Sequence, residues 1–283
     1  MNKHFFLLPL YNDWESFILI CDKINDELKS HKMKGEIFVI DDNSSVGPPS
    51  FKDYTNIQNI QILKLNKNLG SQKAISIGLQ YLKKRNESGI ITILDSDGED
   101  DVTKIAEMIS AAEQNEDKVI VSSRTKRQEN FFFKVLYLSH KLITLIFTFN
   151  WISYGNYSSF HSNQLKNILS NKNSWLALSA CMAKNCRVFK IEAERKKRLI
   201  GASKLSFKGL IFHSLRVNTV FIFRSLIISS VYLALLIILW IFKFQFVTYL
   251  ILFIILYNFF LLITLILNDQ KKFSNYEDYI VKK

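Results

Sequence analysis

Residues Gly89–Asp101 read GIITILDSDGEDD. Ile90, Ile91, Ile93 and Leu94 form a short apolar run of the kind a buried strand carries. It breaks abruptly into carboxylates: Asp95, Asp97, Glu99 and Asp100, with Asp101 beside them. The chain as a whole has a formal net charge of +12, so this acidic patch is local and set against the trend. Two carboxylates at i and i+2 beyond a strand end, Asp95 and Asp97, can approach one hard cation, and Mg2+ or Mn2+ prefers such oxygen ligands and bridges to substrate phosphates. Glu99 is a candidate third oxygen. The plainer reading is a solvated acidic turn that caps the helix after Asp101.

The flanking sequence supports a site. Phe5-Phe6-Leu7-Leu8 is an apolar run ended by Pro9, and Trp14, Phe17, Ile18, Cys21, Ile24 and Leu28 then recur at helical spacing. Glu36–Ile40 reads as a strand ending in Asp41-Asp42, Ile60–Leu65 as another before Asn66–Gly70, Ser71–Lys84 as a helix, and Val119–Val121 as a further strand. Alternating strand and helix predicts an α/β fold, a mostly parallel sheet covered on both faces. In such sheets ligands bind beyond the carboxyl ends of the strands. Pro9, Tyr11 and Asn12, then Asp41 and Asp42, Asn68 and Gly70, Asp95 to Asp97, and Ser122 to Arg124 all fall there. Tyr11 can stack on a base, Asp41 and Asp42 can accept hydrogen bonds from a base or ribose, and Lys73, Arg124 and Arg127 can face phosphates. Singly, each also reads as packing, an Asx turn or solvated charge.

The C-terminal third is different. Ser225–Phe242 and Phe244–Leu267 carry no charge, and a bilayer-crossing helix needs about 20 apolar residues. They predict a transmembrane hairpin over 224–268, turning near Lys243-Phe244-Gln245. Lys204, Lys208, Arg216 and Arg224 precede it, and Lys271, Lys272, Lys282 and Lys283 follow it. That asymmetry predicts both termini on the cytoplasmic side. Only six mostly apolar residues follow Met1–His4, which does not read as a signal peptide. Residues 131–151 and 205–223 mix apolar and basic residues and read as interfacial helices, with packing on the sheet as the alternative for the first. Beside a membrane hairpin, the net positive charge points to anionic lipid headgroups rather than nucleic acid. Cys21, Cys181 and Cys186 show no metal-binding spacing, and reduced thiols are expected.

In order and spacing these segments resemble the family-2 glycosyltransferases of GT-A fold. Leu8-Pro9-Leu10-Tyr11-Asn12 resembles their P-x-Y-N, Val39-Ile40-Asp41-Asp42-Asn43-Ser44 their V-D-D-x-S, and Asn68-Leu69-Gly70 their N-x-G. Asp95-Ser96-Asp97 resembles the D-x-D that holds metal and nucleotide diphosphate, and Ser123-Arg124 the G-x-R. Arg195-Lys196-Lys197-Arg198-Leu199-Ile200-Gly201-Ala202-Ser203-Lys204 resembles the R-x-x-G-x-S-K loop of polyprenyl-phosphate hexosyltransferases.

The resemblance implies a GT-A catalytic domain over 1–223, with a cytoplasmic tail, 269–283, after the hairpin. It implies a metal on Asp95, Asp97 and Glu99. The nucleotide sugar would lie among Pro9, Tyr11, Asn12, Asp41, Asp42, Asn68, Gly70, Lys73, Asp95 and Ser96. Arg195, Arg198, Ser203 and Lys204 would hold the acceptor phosphate, and Asp97, Arg124, Arg198 and Lys204 would serve catalysis. The implied partners are a nucleotide-diphosphate sugar, a polyprenyl phosphate and the membrane, and apolar faces near the membrane leave room for a homo-oligomer.

Two segments depart from the pattern. Tyr154-Gly155-Asn156-Tyr157 has Asn156 where the branch carries aspartate, and an amide is no base. A phosphate acceptor, already ionised, needs none, whereas a hydroxyl acceptor does. Glu99-Asp100-Asp101-Val102-Thr103 lacks the prolines that usually follow D-x-D. The alternative functions are transfer to a sugar hydroxyl of a lipid-linked saccharide, and a nucleotide-binding partner without catalysis.

Overall fold

A computed structural model of the chain describes residues 3–124, 131–170, 172–201, 207–242, 244–268 and 273–281. Among them the strands are β1 (Lys3–Leu10), β2 (Gly35–Asp41), β3 (Ile57–Lys64), β4 (Gly89–Ile93), β5 (Lys118–Arg124), β6 (Tyr154–His161) and β7 (Arg187–Ala193). They form one sheet in the order β3-β2-β1-β4-β6-β5-β7. β1 pairs in parallel with β2 and β4, β2 with β3, and β5 with β7, while β6 runs antiparallel between β4 and β5. The sheet is mixed and mostly parallel.

The apolar runs are continuous because the central strands are covered on both faces. Side chains alternate across a strand, so β1 sends Phe5 and Leu7 into one core and Phe6, Leu8 and Leu10 into the other. β2 does the same with Phe38 and Ile40 against Ile37 and Val39. The first core is closed by α2 (Ser71–Arg85) and α6 (Leu178–Asn185), the second by α1 (Trp14–Ser30) and α3 (Ile105–Gln114). The parallel registers Leu10 with Asp41 and Leu7 with Ile93 bring the carboxyl ends of β1, β2 and β4 to one edge.

β6 has no apolar signature. Its Ser158 and Ser159 are fully buried, and the Ser159 hydroxyl is hydrogen-bonded to the Thr92 hydroxyl at 2.8 Å. The Ser158 hydroxyl donates within β6, to the Asn156 carbonyl at 2.9 Å. Hydrogen bonds satisfy both hydroxyls, and hydrophobic periodicity does not report them.

Outside the sheet lie α4 (Phe131–Thr148), the short α5 (Leu165–Ile168), α7 (Phe207–Val220), α8 (Ile222–Ile241) and α9 (Gln245–Leu267). α8 and α9 are each long and apolar enough to cross a membrane, and most of their surface is unburied within the chain. A soluble core helix would be covered instead. The break between them, at Phe242–Phe244, falls where the sequence places the turn. α4 packs on this hairpin rather than on the sheet. Phe147 stacks on Tyr257 with ring centroids 4.2 Å apart, Tyr232 donates to the Ile146 carbonyl at 2.9 Å, and Arg224 donates to the Thr148 carbonyl at 3.1 Å.

After α9 the chain folds back onto the sheet edge. Ile280 bridges Leu65, the Val281 amide donates to the Lys64 carbonyl at 2.8 Å, and Phe273 and Tyr279 pack on Trp175. The entry and exit of the hairpin therefore lie on the same side, that of the sheet.

Candidate active site

The carboxyl-end edge carries a cleft of about 340 Å³ lined by Pro9, Tyr11, Asp13, Asp42, Asn68, Gly70, Ser71 and Asp95 to Asp97. Segments far apart in the chain meet there because β1, β2 and β4 are adjacent and parallel. Pro9, Tyr11, Asp42, Asn68, Gly70, Asp95, Ser96 and Asp97, all named from the sequence, are brought together in the cleft.

Others are not. Asn12 is a brace rather than a wall: its amide donates to the Ser44 hydroxyl at 2.9 Å, and its side-chain oxygen accepts from the Ser45 amide at 2.9 Å. Asp41 is buried and accepts from the Ser44 amide at 2.8 Å, so the Asx turn starts at Asp41 rather than Asp42. Lys73 lines a neighbouring cavity instead, its ammonium 5.5 Å from the Trp175 ring centroid. Arg124 ends β5 beside Ala193, and its side chain, with Arg127, Ser203 and Lys204, lies outside the described residues.

Asp42 organises one wall. Its two carboxylate oxygens accept from the Leu69 and Gly70 amides, each at 2.7 Å. Burial raises its pKa above the ordinary carboxylate value, against the pull of those two amides. Gly70 follows with φ of 87° and caps α2. The pairing fixes the entry to α2 relative to β2.

The acidic turn after β4 is closed by the basic loop. Arg195 pairs with Glu99, Lys196 with Asp101 at 2.6 Å, and Arg198 with both Asp13 and Asp97. The Lys196 amide donates to the Glu99 carbonyl at 2.9 Å and the Leu199 amide to the Asp97 carbonyl at 3.0 Å. Gly98, at φ of 81°, lets Leu199 lie directly on the turn: a Cβ there would meet Leu199 Cγ at 2.4 Å. Residues 195–199 are thus a strap across the acidic patch, and its cations balance the charge.

Glu99, read as a third metal oxygen, faces Arg195. Arg195 and Arg198, read as acceptor-phosphate ligands, pair here with Glu99, Asp13 and Asp97. Asp13 and Gly98 were missed by the sequence reading; the glycine amid acidic residues was the available signal.

Asp95 and Asp97 are the carboxylates of this turn that line the cleft. Asp97 lies against the cleft with one oxygen accepting the Glu99 amide at 3.1 Å. Burial holds its pKa above the ordinary carboxylate value, and the Glu99 carboxylate adds to this while Arg198 and Arg195 oppose it. A partly desolvated carboxylate gains from a nearby cation. Among the described residues no three acidic, His or Cys side chains cluster closely enough to hold an ion. The chemistry of Asp95 and Asp97 fits a hard divalent ion that takes its other oxygens from phosphates and water. Asn156, on β6, accepts from the Gln72 side chain at 3.0 Å, and Gln72 accepts from the Leu178 amide at 2.8 Å. Its amide oxygen is used in that bridge.

Residues 6–171, more than half of the chain, match the model of glycosyl transferase family 2. The chain belongs to this family. The glycosyltransferase is 24% identical over 221 residues to the undecaprenyl-phosphate 4-deoxy-4-formamido-L-arabinose transferase of Proteus mirabilis, an alignment covering 75% of the chain and 65% of that relative's length. Among solved structures it resembles mannosyl-3-phosphoglycerate synthase from Rubrobacter xylanophilus (TM-score 0.55, 14% identity, 79% of this chain and 74% of that one). It also resembles glucosyl-3-phosphoglycerate synthase from Mycobacterium tuberculosis in complex with Mn2+, UDP-glucose and phosphoglyceric acid (TM-score 0.51, 12% identity, 79% and 80%). At these identities the structural likeness shows the fold, which is GT-A.

Proposed function

We propose that this glycosyltransferase moves a hexose from a nucleotide-diphosphate sugar to a polyprenyl phosphate at the cytoplasmic face of a membrane. The observation that carries the reading is the return of the chain from α9 onto β3. It ties two apolar helices to the domain that bears the acidic cleft, so an acceptor held in the bilayer meets the donor site. The relative from Proteus, whose name gives undecaprenyl phosphate as acceptor, supports the same choice.

The donor lies in the cleft, with Tyr11 placed to stack on the base and Asp95 and Asp97 at the diphosphate. Asp95 and Asp97 would hold Mg2+ or Mn2+, which when bound neutralises charge on the leaving diphosphate. Arg198, paired with Asp97 and Asp13, exchanges those partners for phosphate oxygens as the donor enters. A phosphate oxygen of the acceptor forms the new bond to the anomeric carbon. The bond from that carbon to the diphosphate breaks, and the nucleoside diphosphate leaves with the electron pair. A single displacement inverts the anomeric centre. No proton is abstracted, which agrees with Asn156 standing where a base would be.

Purified full-length protein in detergent, given labelled nucleotide sugars, Mn2+ and undecaprenyl phosphate, is expected to form a glycolipid, and Asp97→Ala to abolish it. Lipid product formed undiminished by Asp97→Ala would refute the reading.

A further inference from the structure

The acceptor reading leaves a physical question. Among the described residues of the basic loop, Arg195 is paired with Glu99 and Arg198 is assigned to the donor diphosphate, yet a lipid phosphate needs a positively charged seat at membrane level. A second cavity, of about 490 Å³, lies between α2, α7 and α9. It shares Gly70 and Ser71 with the donor cleft, so the two are separated only by the start of α2. Lys73 and Arg216 line it. The first turn of α2 faces it without a side-chain cap, and a helix N-terminus favours an anion.

An independent observation comes from the end of α9. Asn268 caps that helix, lines the cavity and is 5% exposed, and neither its amide nitrogen nor its amide oxygen has a hydrogen-bond partner among the described residues. Buried side-chain amides are rarely left so. An unpartnered, buried amide at the edge of a space with two cations and a helix N-terminus is suited to turn toward an oxyanion that enters there.

A third cavity, about 400 Å³, adjoins this one, with Leu215 and Phe260 lining both. It lies between α4, α7 and α9 and is bounded by apolar side chains such as Ile143, Leu210, Phe253 and Leu256. Its polar groups include His140 and Ser214, which are hydrogen-bonded to each other at 2.8 Å. The two cavities are ordered along α9. Phe253, Leu256 and Tyr257 border the apolar one, Phe260 both, and Thr264, Leu267 and Asn268 the polar one. At about 1.5 Å per residue, Phe253 to Asn268 spans roughly 22 Å. The polar end lies toward the sheet domain and the apolar end deeper along the hairpin.

We infer that the cavity bounded by Lys73, Arg216 and Asn268 seats the acceptor phosphate, and that the apolar slot beyond it takes the first isoprene units of the same lipid. This rests on the proposed acceptor class and places it: the phosphate approaches the donor past Gly70 and Ser71, not through the basic strap. Polar head, apolar tail and donor then fall in the order that transfer requires.

The test measures binding of undecaprenyl phosphate to the purified full-length protein in detergent, beside undecaprenol and inorganic phosphate. Arg216→Ala, Asn268→Leu and Leu256→Trp are compared with wild type, with the unfolding midpoint and the shift given by UDP plus Mn2+ as controls on the fold and the donor cleft. Wild type is expected to bind undecaprenyl phosphate at least tenfold more tightly than either fragment. The first two variants are expected to weaken it at least tenfold by loss of head contacts, and Leu256→Trp by filling the slot, with both controls unchanged. Undiminished affinity in all three variants would overturn the seat and leave the acceptor class standing. Failure of wild type to bind undecaprenyl phosphate would overturn both.

Discussion

Gly98→Ala tests the strap most directly. The glycine sits at φ of 81°, where a residue with a Cβ is destabilised by about 1–2 kcal/mol. The added methyl would also meet Leu199 Cγ at 2.4 Å and Cδ1 at 2.5 Å, and overpacking of this kind costs about 1–3 kcal/mol. The sum is roughly 2–5 kcal/mol, concentrated on one contact between the acidic turn and residues 195–199. Detaching the strap removes the steric part without unfolding the sheet. The expected outcome is therefore local opening. Hydrogen exchange at the Leu199 and Lys196 amides, bonded to the Asp97 and Glu99 carbonyls, should lose about thirtyfold or more in protection, the factor that corresponds to about 2 kcal/mol. Trypsin should cut sooner within Arg195–Arg198. A double-mutant cycle with Leu199→Ala separates the parts: the steric share disappears in the double variant and the backbone share persists. Unchanged protection at both amides in a folded Gly98→Ala protein would refute the packing of strap on turn.

Two further outcomes concern charge in the same region. Burial pushes the Asp101 carboxyl up, but Lys196 and the Thr103 hydroxyl and amide prevail and hold its pKa below the ordinary value. A lowered pKa contributes stability that is full above the unfolded-state value, about 4, and is lost as pH falls through the folded-state value. Lys196→Ala should accordingly destabilise the protein by ~0.2–1 kcal/mol near neutral pH, the range for a partly exposed pair. The difference in unfolding midpoint from wild type should vanish under acid conditions, and a difference that grows with falling pH would refute the assignment. Asp42→Asn keeps one acceptor for the Leu69 and Gly70 amides and leaves the other unmet, at about 1–3 kcal/mol. Donor KM should rise with the unfolding midpoint lowered, and an unchanged donor KM would detach Asp42 from the cleft.

The local signals in the sequence carried far. β1, β2 and β4 were legible because a strand covered on both faces must be apolar throughout, and Pro9, Asp42, Asn68 and Asp95 to Asp97 because a parallel sheet collects its strand ends. α8 and α9 were legible because their long uncharged apolar runs leave a helix no polar face. β6 was not, since its buried serines are satisfied by hydrogen bonds, Ser159 to Thr92 on β4 and Ser158 to the Asn156 carbonyl on β6 itself. The partners of Arg195, Arg198 and Glu99 were not either. Their residue types suited a phosphate and a metal, and only the fold brings Arg198 to Asp13 and Arg195 to Glu99 across most of the chain. Lys73 was read into the donor cleft from its place after Gly70, but the helix beginning at Ser71 turns it toward Trp175 and the membrane-side cavity. Sequence by itself determined β1 to β5, the two long apolar helices and the acidic turn, because burial acts on neighbouring residues. Tertiary structure alone decided which charges face each other, because ion pairing depends on distance in space, and strand order and strap path set that distance.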